Sequence, residues 1–441
     1  MKRYCYEKLE QWKSSAQRKP LVLMGARQVG KTFLLKEFGR TAFESMLYVN
    51  FEENLDLHAF FETNISPDKI IQALEIYFNR VIHAATTLII FDEIQLCPRA
   101  LTSLKYFCEE ASHYYIAAAG SLLGIKMGNQ SGFPVGKVDL VPLYPLGFLE
   151  FLTAMHKQKL VLFVHSIHTI EKIPEPIHKQ LLEFFRLYMY IGGMPEAVAH
   201  YQKTNSLPGI REIQKAIIKN YELDFARHAP PHLIQKITLL WHAIPNQLAK
   251  ENRKFVFSLL REGARAREYE TAIQWLTDAG LIYRCINLTT PGLPLPAYED
   301  RTAFKMYAFD IGLLGALSDL SSKVLLKDND LFTEFKGALT ENVVVQMLIY
   351  IGFDKLFYWT SGNTAEVDFL LPVEEQLLPL EVKAGHSTKS KSLKIYTEKY
   401  NPKQIARASI MNLSNDGILI NYPLYLLERF PISCKAIMGS F

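Results

Sequence analysis

The sequence is poor in cysteine, and the spacing of its cysteines excludes two classes of site. There are five cysteines, and no two of them form a Cys-x-x-Cys pair. An odd number of scattered cysteines is typical of free thiols in a reducing compartment, and it argues against a disulfide framework or a cysteine-rich zinc site. The five are Cys5, Cys97, Cys108, Cys285 and Cys434.

Long apolar runs and a strong charge bias are also missing. The longest apolar stretches, such as residues 342–353, have about 12 residues, whereas a membrane-spanning helix needs about 20. The first residues are charged and aromatic, unlike a secretory signal peptide. We therefore expect a cytoplasmic protein without a membrane partner. The net charge of +4 is too small to imply a nucleic-acid partner from composition alone.

The length and composition predict several folded domains. A chain of 441 residues exceeds a single hydrophobic core, and 49% apolar with 21% charged residues is normal for folded proteins. In the first part of the chain, short apolar runs alternate with helical patterns, which predicts a mostly parallel sheet in an α/β fold. The runs are residues 21–24, 46–51, 87–91 and 115–119.

Residues 25–32 form a phosphate-binding motif. They read Gly-Ala-Arg-Gln-Val-Gly-Lys-Thr, which fits G-x-x-x-x-G-K-[ST], and they lie between a predicted strand and a predicted helix. The glycines let backbone N–H groups turn toward the phosphates of ATP, Lys31 would reach the β and γ phosphates, and the Thr32 hydroxyl would ligate Mg²⁺. The predicted nucleotide contacts are Gly25, Ala26, Arg27, Gln28, Val29, Gly30, Lys31 and Thr32.

Two acids complete this site in the sequence. An apolar run at residues 88–91 ends in Asp92 and Glu93. Asp92 is predicted to lie beside the Mg²⁺ ion, and Glu93 to act as the base or positioner for the attacking water, with Lys31 as the other catalytic residue. A further predicted strand ends at Ser121, whose hydroxyl would either sense the γ phosphate or cap a helix.

These residues resemble the AAA-type ATPases, and more closely a large, mostly uncharacterised bacterial and archaeal family of single-chain ATPases. The resemblance spans residues 18 to 385 approximately, and it implies an ATPase followed by a domain of unknown function. The segments that carry it are Arg27-Gln28-Val29 in the cradle, residues 92–95 (Asp-Glu-Ile-Gln), Gly120-Ser121, residues 145–151 (Pro-Leu-Gly-Phe-Leu-Glu-Phe), residues 192–196 (Gly-Gly-Met-Pro-Glu) and residues 307–314 (Tyr-Ala-Phe-Asp-Ile-Gly-Leu-Leu).

The chain departs from this family at one position. Where relatives usually have Gly-Arg before the segment at 145–151, this chain has Gly136 and Lys137. Lysine keeps the charge but lacks the planar fork of arginine, so an arginine acting across a subunit boundary would come from elsewhere. Arg27 and Arg99 are candidates, although a solvated surface role is favoured for both. The sequence is compatible with a homo-oligomer.

A second group of charged residues lies near the end of the chain. Asp368 lies in a predicted strand, and Glu381 and Lys383 share one face of another, because side chains of a strand alternate with period two. Asp368 and Glu381, with Glu341 from the preceding helix, could hold Mg²⁺, and Lys383 could polarise a water.

This pattern resembles the restriction-endonuclease-like fold, whose motif is PD-(D/E)-x-K, and especially its Holliday-junction-resolvase-like branch. The order of one helix and three strands agrees, although Val367 stands where the motif has proline. The resemblance implies that Glu381 and Lys383 are catalytic and that Glu341, Asp368 and Glu381 are metal ligands. Sites of this fold that look intact sometimes only bind, so cleavage and binding both stay open.

We predict a multidomain α/β chain with four parts. They are an AAA-type P-loop, parallel-sheet ATPase core at residues 1–158, a helical lid at 159–219, a winged-helix-like domain at 220–330 and a restriction-endonuclease-like α/β domain at 331–441. The winged helix is predicted from a helix at 255–260, a T-x-x-Q capping box at Thr271 that opens a second helix, Gly280 after its end, and a strand at 281–288.

DNA is the expected partner of the last two parts. Two clusters of lysine and arginine there would contact phosphates, or else form solvated helix faces diluted by glutamates. Gln274 and Trp275 would face a DNA groove, although Trp275 fits a core position equally well. The clusters are Lys250, Arg253, Lys254, Arg261, Arg265 and Arg267, and Lys389, Lys391, Lys394, Lys399, Lys403 and Arg407.

Two functional hypotheses follow. The first is an ATPase coupled to a DNA-binding module that cleaves with Mg²⁺ if its second site is active. The alternative is a nucleotide-dependent switch that binds a protein partner, with the nuclease-like part as an inactive scaffold.

Overall fold

The structure is a computed structural model that describes residues 2–121, 133–250, 254–321, 333–362, 364–385 and 390–432. Its internal contacts divide the chain into two compact units. The N-terminal unit comprises Lys2–Tyr144 with Asp278–Gly280, and the C-terminal unit comprises Pro145–Thr277 and the residues from Leu281 onward. The boundaries of the four predicted domains stay predictions. Within the described residues, no helix is both long enough and apolar enough to cross a membrane.

The N-terminal unit is built on a five-stranded sheet. All of its pairings are parallel and the strand order is β2-β3-β4-β1-β5. Because β3 and β1 run through the core, nearly every side chain in them is buried, as expected of a parallel sheet covered on both faces. The strands are β1 Leu21–Gly25, β2 Ser45–Asn50, β3 Thr87–Asp92, β4 Tyr115–Ser121 and β5 Asp139–Pro142.

Helices connect these strands and cover the sheet, which confirms the predicted parallel α/β fold of this part. The helix that follows β1 buries Leu34, Leu35 and Phe38, which recur at helical spacing on one face. The helices are α1 Cys5–Ser14, α2 Lys31–Ala42, α3 His58–Thr63, α4 Pro67–Phe78 and α5 Pro98–Glu110, with short 3₁₀ turns at Leu55–Leu57 and Ile94–Leu96.

The C-terminal unit begins with a run of helices, as the pattern at residues 160–219 predicts. The run extends beyond the predicted end at residue 219, through Leu248. Its helices are α6 Phe148–Ala154, α7 Gln158–His165, α8 Glu175–Ile191, α9 Pro195–Thr204, α10 Ile210–His228 and α11 Pro231–Leu248.

The segment that suggested a winged helix differs from the prediction in two places. Residues 255–260 contain only a 3₁₀ turn at Phe257–Leu259, and the next helix, α12, spans Ala266–Asp278 rather than starting at Thr271. The helix starts early because Tyr269, Ala272, Ile273 and Leu276 extend its buried face at the spacing i, i+3, i+4, i+7.

The strand predicted at residues 281–288, which would form the wing of a winged helix, belongs to a larger sheet. β6 (Ile282–Leu288) pairs antiparallel with β7 (Glu299–Ala308), and β6 also pairs parallel with β8 (Leu356–Thr360), which in turn pairs with β9 (Glu366–Val367). A 3₁₀ turn at Leu295–Tyr298 lies inside the hairpin. Strands from both sides of the predicted boundary at residue 330 therefore share one sheet. The winged helix itself stays a prediction.

A second sheet of five strands follows, in the order β10-β11-β12-β14-β13. The basic residues from Lys389 onward predict a helical tail, and this prediction is wrong beyond Tyr400, because three strands follow the helix. The predicted strand at 366–371 is also divided, because β9 pairs in one sheet and β10 in the other. The elements are α13 Ile311–Leu317, α14 Thr333–Tyr350, β10 Phe369–Val373, β11 Gln376–Val382, α15 Lys391–Tyr400, β12 Ile405–Ser409, β13 Ser414–Asp416, β14 Leu419–Pro423 and a 3₁₀ turn at Leu424–Arg429.

Asp310 joins three segments inside the C-terminal unit. Its side chain is fully buried and accepts hydrogen bonds from the backbone N–H of Gly193 (2.7 Å) and of Leu313 (3.0 Å), so that it caps α13. A Cβ at Gly192 would lie 2.4 Å from Asp310 Oδ1, so glycine is needed for the close approach. Burial raises the pKa of Asp310 to about 6, against the opposing effect of its backbone hydrogen bonds.

We expect Asp310→Ala to lower the free energy of unfolding of the C-terminal unit. The change leaves two buried N–H groups without an acceptor, and each such group costs about 1–3 kcal/mol. The measurement is chemical unfolding followed by circular dichroism. Thr204→Ala, an exposed helix-terminal change, serves as the control and should have little effect.

Asp310→Asn refines this test, because it keeps one acceptor and loses the titration. A carboxyl whose pKa is raised from 3.8 to about 6 on folding destabilises the fold as pH rises through that interval. The variant should therefore lose less stability than Asp310→Ala and should show a flatter stability profile between those pH values. An unchanged profile would contradict the assigned role.

Candidate nucleotide site and carboxylate cluster

The phosphate-binding motif folds into a loop between β1 and α2. Gln28 and Gly30 have positive φ values of 62° and 95°, which curl the backbone so that its N–H groups can line a concave cradle. A Cβ on Gly25 would lie 2.2 Å from the carbonyl oxygen of Leu143, so a larger residue is excluded there. The loop and the first turn of α2 together form a site suited to anionic oxygens.

Lys31 is buried at the centre of this cradle. Its Nζ donates hydrogen bonds to the carbonyl oxygens of Gly25 (3.0 Å) and Ala26 (2.8 Å). Burial lowers the pKa of Lys31 to about 8, while the charges of Glu93 and Asp92 act in the opposite direction. The ammonium therefore lies within electrostatic reach of both acids predicted for this site.

The two acids lie at the carboxyl end of β3. Asp92 is buried; its Oδ2 accepts a hydrogen bond from the Tyr48 hydroxyl (2.7 Å), and its Oδ1 accepts one from the backbone N–H of Glu93 (3.1 Å). Glu93 has a left-handed backbone, with φ 51°, and its Oε2 accepts a hydrogen bond from the Gln95 amide (2.5 Å). Both carboxylates are thus oriented by neighbours.

The other predicted nucleotide contacts lie along the same edge. Thr32 is the second residue of α2, and Ser121 is the last residue of β4, where it pairs in register with Gly25. The strand order places β4 between β1 and β3, so Ser121 lies between the cradle and the two acids along this edge of the sheet. Its roles as sensor or as cap both stay open.

The basic candidates near this site have partners of their own. Lys137 Nζ forms an ion pair with Glu109 (2.9 Å), which raises the pKa of Lys137. Arg99 Nε donates to the carbonyl oxygen of Phe61 (2.6 Å), and Arg27 is partly exposed in the cradle. The assignment of an arginine that acts across a subunit boundary stays a prediction.

The second predicted site is assembled within the C-terminal unit. Asp368 lies where the chain passes from β9 to β10, and its Oδ2 accepts a hydrogen bond from the backbone N–H of Val382 (2.7 Å). Glu341 lies on α14 and accepts a hydrogen bond from the Tyr307 hydroxyl (3.0 Å). Glu381 Oε1 pairs with Lys383 Nζ at 2.8 Å. Glu381 Oε2 is buried and accepts no hydrogen bond from the part of the chain that the structure describes.

A lysine that the motif does not include lies among these acids. Lys305, on β7, is fully buried, and its Nζ contacts the carboxylate of Glu366. The same Nζ lies 3.8 Å from Glu341 Oε2 and 4.0 Å from Asp368 Oδ1. Among the described residues, no group of three histidine, cysteine, aspartate or glutamate side chains has an arrangement that could hold a metal ion. The metal-binding roles of Glu341, Asp368 and Glu381 stay predictions.

The residues expected to contact DNA are distributed unevenly. Arg407 is buried on β12, where its Nε donates to Asn421 Oδ1 (2.8 Å), so its predicted place on a basic helical tail is wrong. Trp275 is a core residue that packs edge-on against Phe225, at 5.4 Å between ring centroids. Gln274 is exposed in the middle of α12. Arg253 and Lys389 lie outside the described residues, and the remaining members are exposed: Lys250, Lys254, Arg261, Arg265, Arg267, Lys391, Lys394, Lys399 and Lys403.

The sequence motifs did not identify four residues that shape the two sites. Tyr48 and Gln95 orient Asp92 and Glu93, and Gln95 at least lies in the Asp-Glu-Ile-Gln segment. Lys305 and Glu366 form the buried pair of the second site. A lysine inside the otherwise apolar run at residues 303–308 is the signal that could have found it, because a buried lysine requires a partner.

Three stretches of the sequence match protein families. Residues 17–152 match the AAA domain family, and this stretch contains the cradle, Asp92, Glu93 and Ser121. The N-terminal unit contains an AAA-type P-loop ATPase domain. Residues 182–324 and 336–430 match two domains of unknown function, DUF8612 and DUF4143. The AAA-type expectation is thereby confirmed, whereas the nuclease-like fold of the last part stays a prediction.

No curated protein matches the chain. Among solved structures, a Walker-type ATPase of Pyrococcus abyssi is similar at 16% identity over 71% of this chain and 94% of its own, with a TM-score of 0.44. The Orc1 protein of Aeropyrum pernix, solved in complex with DNA, shows 13% identity over 71% and 90%, with a TM-score of 0.27. Cdc6p of Pyrobaculum aerophilum shows 13% over 72% and 92%, with a TM-score of 0.24. TM-scores this low assign no function to this chain.

The pKa of Lys31 predicts how nucleotide affinity changes with pH. With a pKa of about 8 in the free protein, Lys31 loses its charge as pH rises above that value, while bound phosphates would favour the charged form. ATP affinity should therefore fall above about pH 8, by at most about tenfold per pH unit. Calorimetric titration in buffers of different ionisation enthalpy measures both the affinity and the uptake of a proton.

The matched control for this measurement is Lys105→Ala, which removes an exposed lysine from α5. This variant should keep the wild-type pH profile. Lys31→Arg should lose the pH dependence whatever its affinity, because arginine stays protonated over the whole range. A profile in Lys31→Arg that still follows the wild type would assign the titration to another group.

Proposed function

We propose that the chain binds ATP in the cradle and hydrolyses it there, and that the nucleotide state controls the C-terminal unit. The observation that carries this proposal is the position of Lys31 in the cradle, where its Nζ donates to the carbonyl oxygens of Gly25 and Ala26, with Asp92 and Glu93 at the carboxyl end of β3 in the same sheet. Among the described residues, the hydrogen bonds of this buried ammonium go to backbone carbonyl oxygens, and it could exchange them for phosphate oxygens of higher charge.

The residues of the site have distinct roles in this proposal. Lys31 and the N–H groups of the cradle would bind the β and γ phosphates, and Thr32 and Asp92 would hold Mg²⁺. The ion, when bound, neutralises charge on the phosphate oxygens. Glu93 would accept a proton from the attacking water, and Gln95 positions its carboxylate through the hydrogen bond to Oε2.

Substitutions at this site should separate binding from hydrolysis. Lys31→Ala should abolish both, because it removes the charge that faces the phosphates. Glu93→Gln should keep ATP affinity within a few-fold but lower the hydrolysis rate by about 10²-fold or more, because the amide cannot accept the proton. Fluorescent-nucleotide binding and phosphate release measure the two effects.

Glu110→Gln is the matched control, because Glu110 is exposed at the end of α5. It should leave binding and turnover unchanged. Lys383→Ala should also leave hydrolysis intact, since that residue belongs to the C-terminal unit. If Glu93→Gln hydrolyses ATP as fast as the wild type, the assignment of the base is wrong.

The C-terminal unit offers an exposed basic surface for nucleic acid. Arg261 and Arg265 precede α12, and Arg267 lies in its first turn; all three are exposed. The second patch is weaker, because Lys394 lies 3.9 Å from Glu398 and Lys399 lies over the rings of Trp359 and Tyr400. Contact with DNA at the first patch would be electrostatic and independent of sequence.

The contacts of Lys305 favour a C-terminal unit that acts as a scaffold rather than as a nuclease. Its ammonium neutralises part of the charge that a nuclease would use to hold Mg²⁺. We therefore prefer a module that binds without cleaving. A switch that binds a protein partner is retained as the alternative proposal. The cytoplasmic location stays a prediction.

Reversal of charge at Arg261, Arg265 and Arg267 tests the nucleic-acid surface. The triple change to glutamate should weaken DNA binding and reduce the slope of log affinity against log salt by about three, since about one counterion is released per contact. Fluorescence anisotropy on linear and branched DNA measures this, and ATPase assays with DNA test the coupling. DNA incubated with Mg²⁺ or Mn²⁺ should stay uncut.

The control replaces three exposed lysines far from α12 in sequence, Lys159, Lys179 and Lys203, with glutamate. These changes carry the same alteration in net charge. If both triples weaken binding equally, the effect is one of overall charge. If the wild type neither binds DNA nor changes its ATPase rate with DNA, the protein-partner hypothesis replaces this one.

A further inference from the structure

Lys305 is a charged residue placed in the interior of the C-terminal unit. It lies in the run of β7 from Ala303 to Ala308, in which every residue is buried. Its side chain is 0% exposed, and its Nζ is in contact with Glu366 and near Glu341 and Asp368. Because a buried ammonium is costly without compensation, this position depends on these carboxylates.

The carboxylates are fixed in place by other contacts. Asp368 Oδ2 accepts the Val382 N–H, which leaves Oδ1 facing Lys305. Glu341 is held by the Tyr307 hydroxyl, two residues along β7 from Lys305. The acids thus converge on one point from α14, from β9 and from the junction between β9 and β10, and the point is filled by a cation that the chain itself supplies.

The cation and its acids come from different family regions. Lys305 lies in the stretch 182–324 that matches DUF8612, whereas Glu341, Glu366 and Asp368 lie in the stretch 336–430 that matches DUF4143. The two stretches also share the sheet in which β6 pairs with β8. Lys305 of the first region therefore neutralises part of the negative charge of these three acids of the second region.

We infer that the Lys305 ammonium is the resident cation of the Glu341, Glu366 and Asp368 cluster and takes the place of a divalent metal ion. Mg²⁺ would need oxygen ligands at about 2.1 Å, and an ammonium already among these oxygens repels a second cation. Lys383 pairs with Glu381, so the lysine of the motif is also neutralised. The inference rests on the scaffold role proposed above, and it explains why that scaffold needs no metal.

Cation binding by the full, nucleotide-free chain tests the inference. Electron paramagnetic resonance of Mn²⁺ counts bound ions in the wild type, in Lys305→Met and in Lys305→Arg. Lys305→Met should bind one more Mn²⁺ than the wild type. The gained ion should bind at least about tenfold more tightly than any Mn²⁺ that the wild type binds at this cluster, which is 1.4 kcal/mol. Lys305→Arg keeps the charge and should gain no ion. Asp368→Asn added to Lys305→Met should remove the gained ion.

The wild type keeps the inference falsifiable if Lys305→Met does not fold. A Mn²⁺ ion that the wild type binds and that Asp368→Asn alone abolishes would overturn it. So would a folded Lys305→Met that gains no ion. Lys305→Met with Glu366→Gln removes the contacting pair together and should fold, because both charges leave the interior. Failure here is distinct from failure of the scaffold role, which DNA cleavage by the wild type would show without any count of ions.

Discussion

A buried ammonium must be compensated, and the two lysines that are buried among the described residues, Lys31 and Lys305, are compensated in opposite ways. Lys31 donates to backbone carbonyl oxygens, with Asp92 and Glu93 acting on it only through their charge. Lys305 instead contacts a carboxylate directly and has two more within 4.0 Å. An anion that binds beside Lys31 would add to the charge that compensates its ammonium. The carboxylates that compensate Lys305 belong to the chain itself. The difference separates a site for a ligand from a site that is structurally complete.

The start of α6 shows how the C-terminal unit joins residues that are far apart in sequence. The chain passes from Pro142, at the end of β5, to the start of α6 at Phe148. The backbone N–H groups of Phe148 and Leu149 donate to the carboxylate of Glu428, near the far end of the chain. Burial raises the pKa of Glu428 to about 7, against those two hydrogen bonds. The start of α6 is therefore capped by a carboxylate that lies 280 positions away in sequence.

How much the sequence could predict depends on whether a feature is local. The cradle, the acids after β3 and the parallel sheet were predictable, because a phosphate loop needs glycine, lysine and a helix start within eight residues. Asp310 and Glu428 lay beyond prediction, since their partners Gly193 and Phe148 are more than 100 residues away. The strands after Tyr400 are not evident from the sequence, because Arg407 is buried on β12 through a hydrogen bond to Asn421, 14 residues away.

The motif at Asp368, Glu381 and Lys383 shows why residue spacing alone does not establish a metal site. Spacing places the acids on adjacent elements, but the charge they present depends on every neighbour in three dimensions. Lys305 is separated by 61 residues from Glu366, and no local pattern links the two. A carboxylate cluster selects a cation by charge and geometry together. Here the chain supplies that cation from a strand of a neighbouring family region, so that Glu341 and Asp368, two of the three acids predicted to hold a metal, face Lys305 together with Glu366.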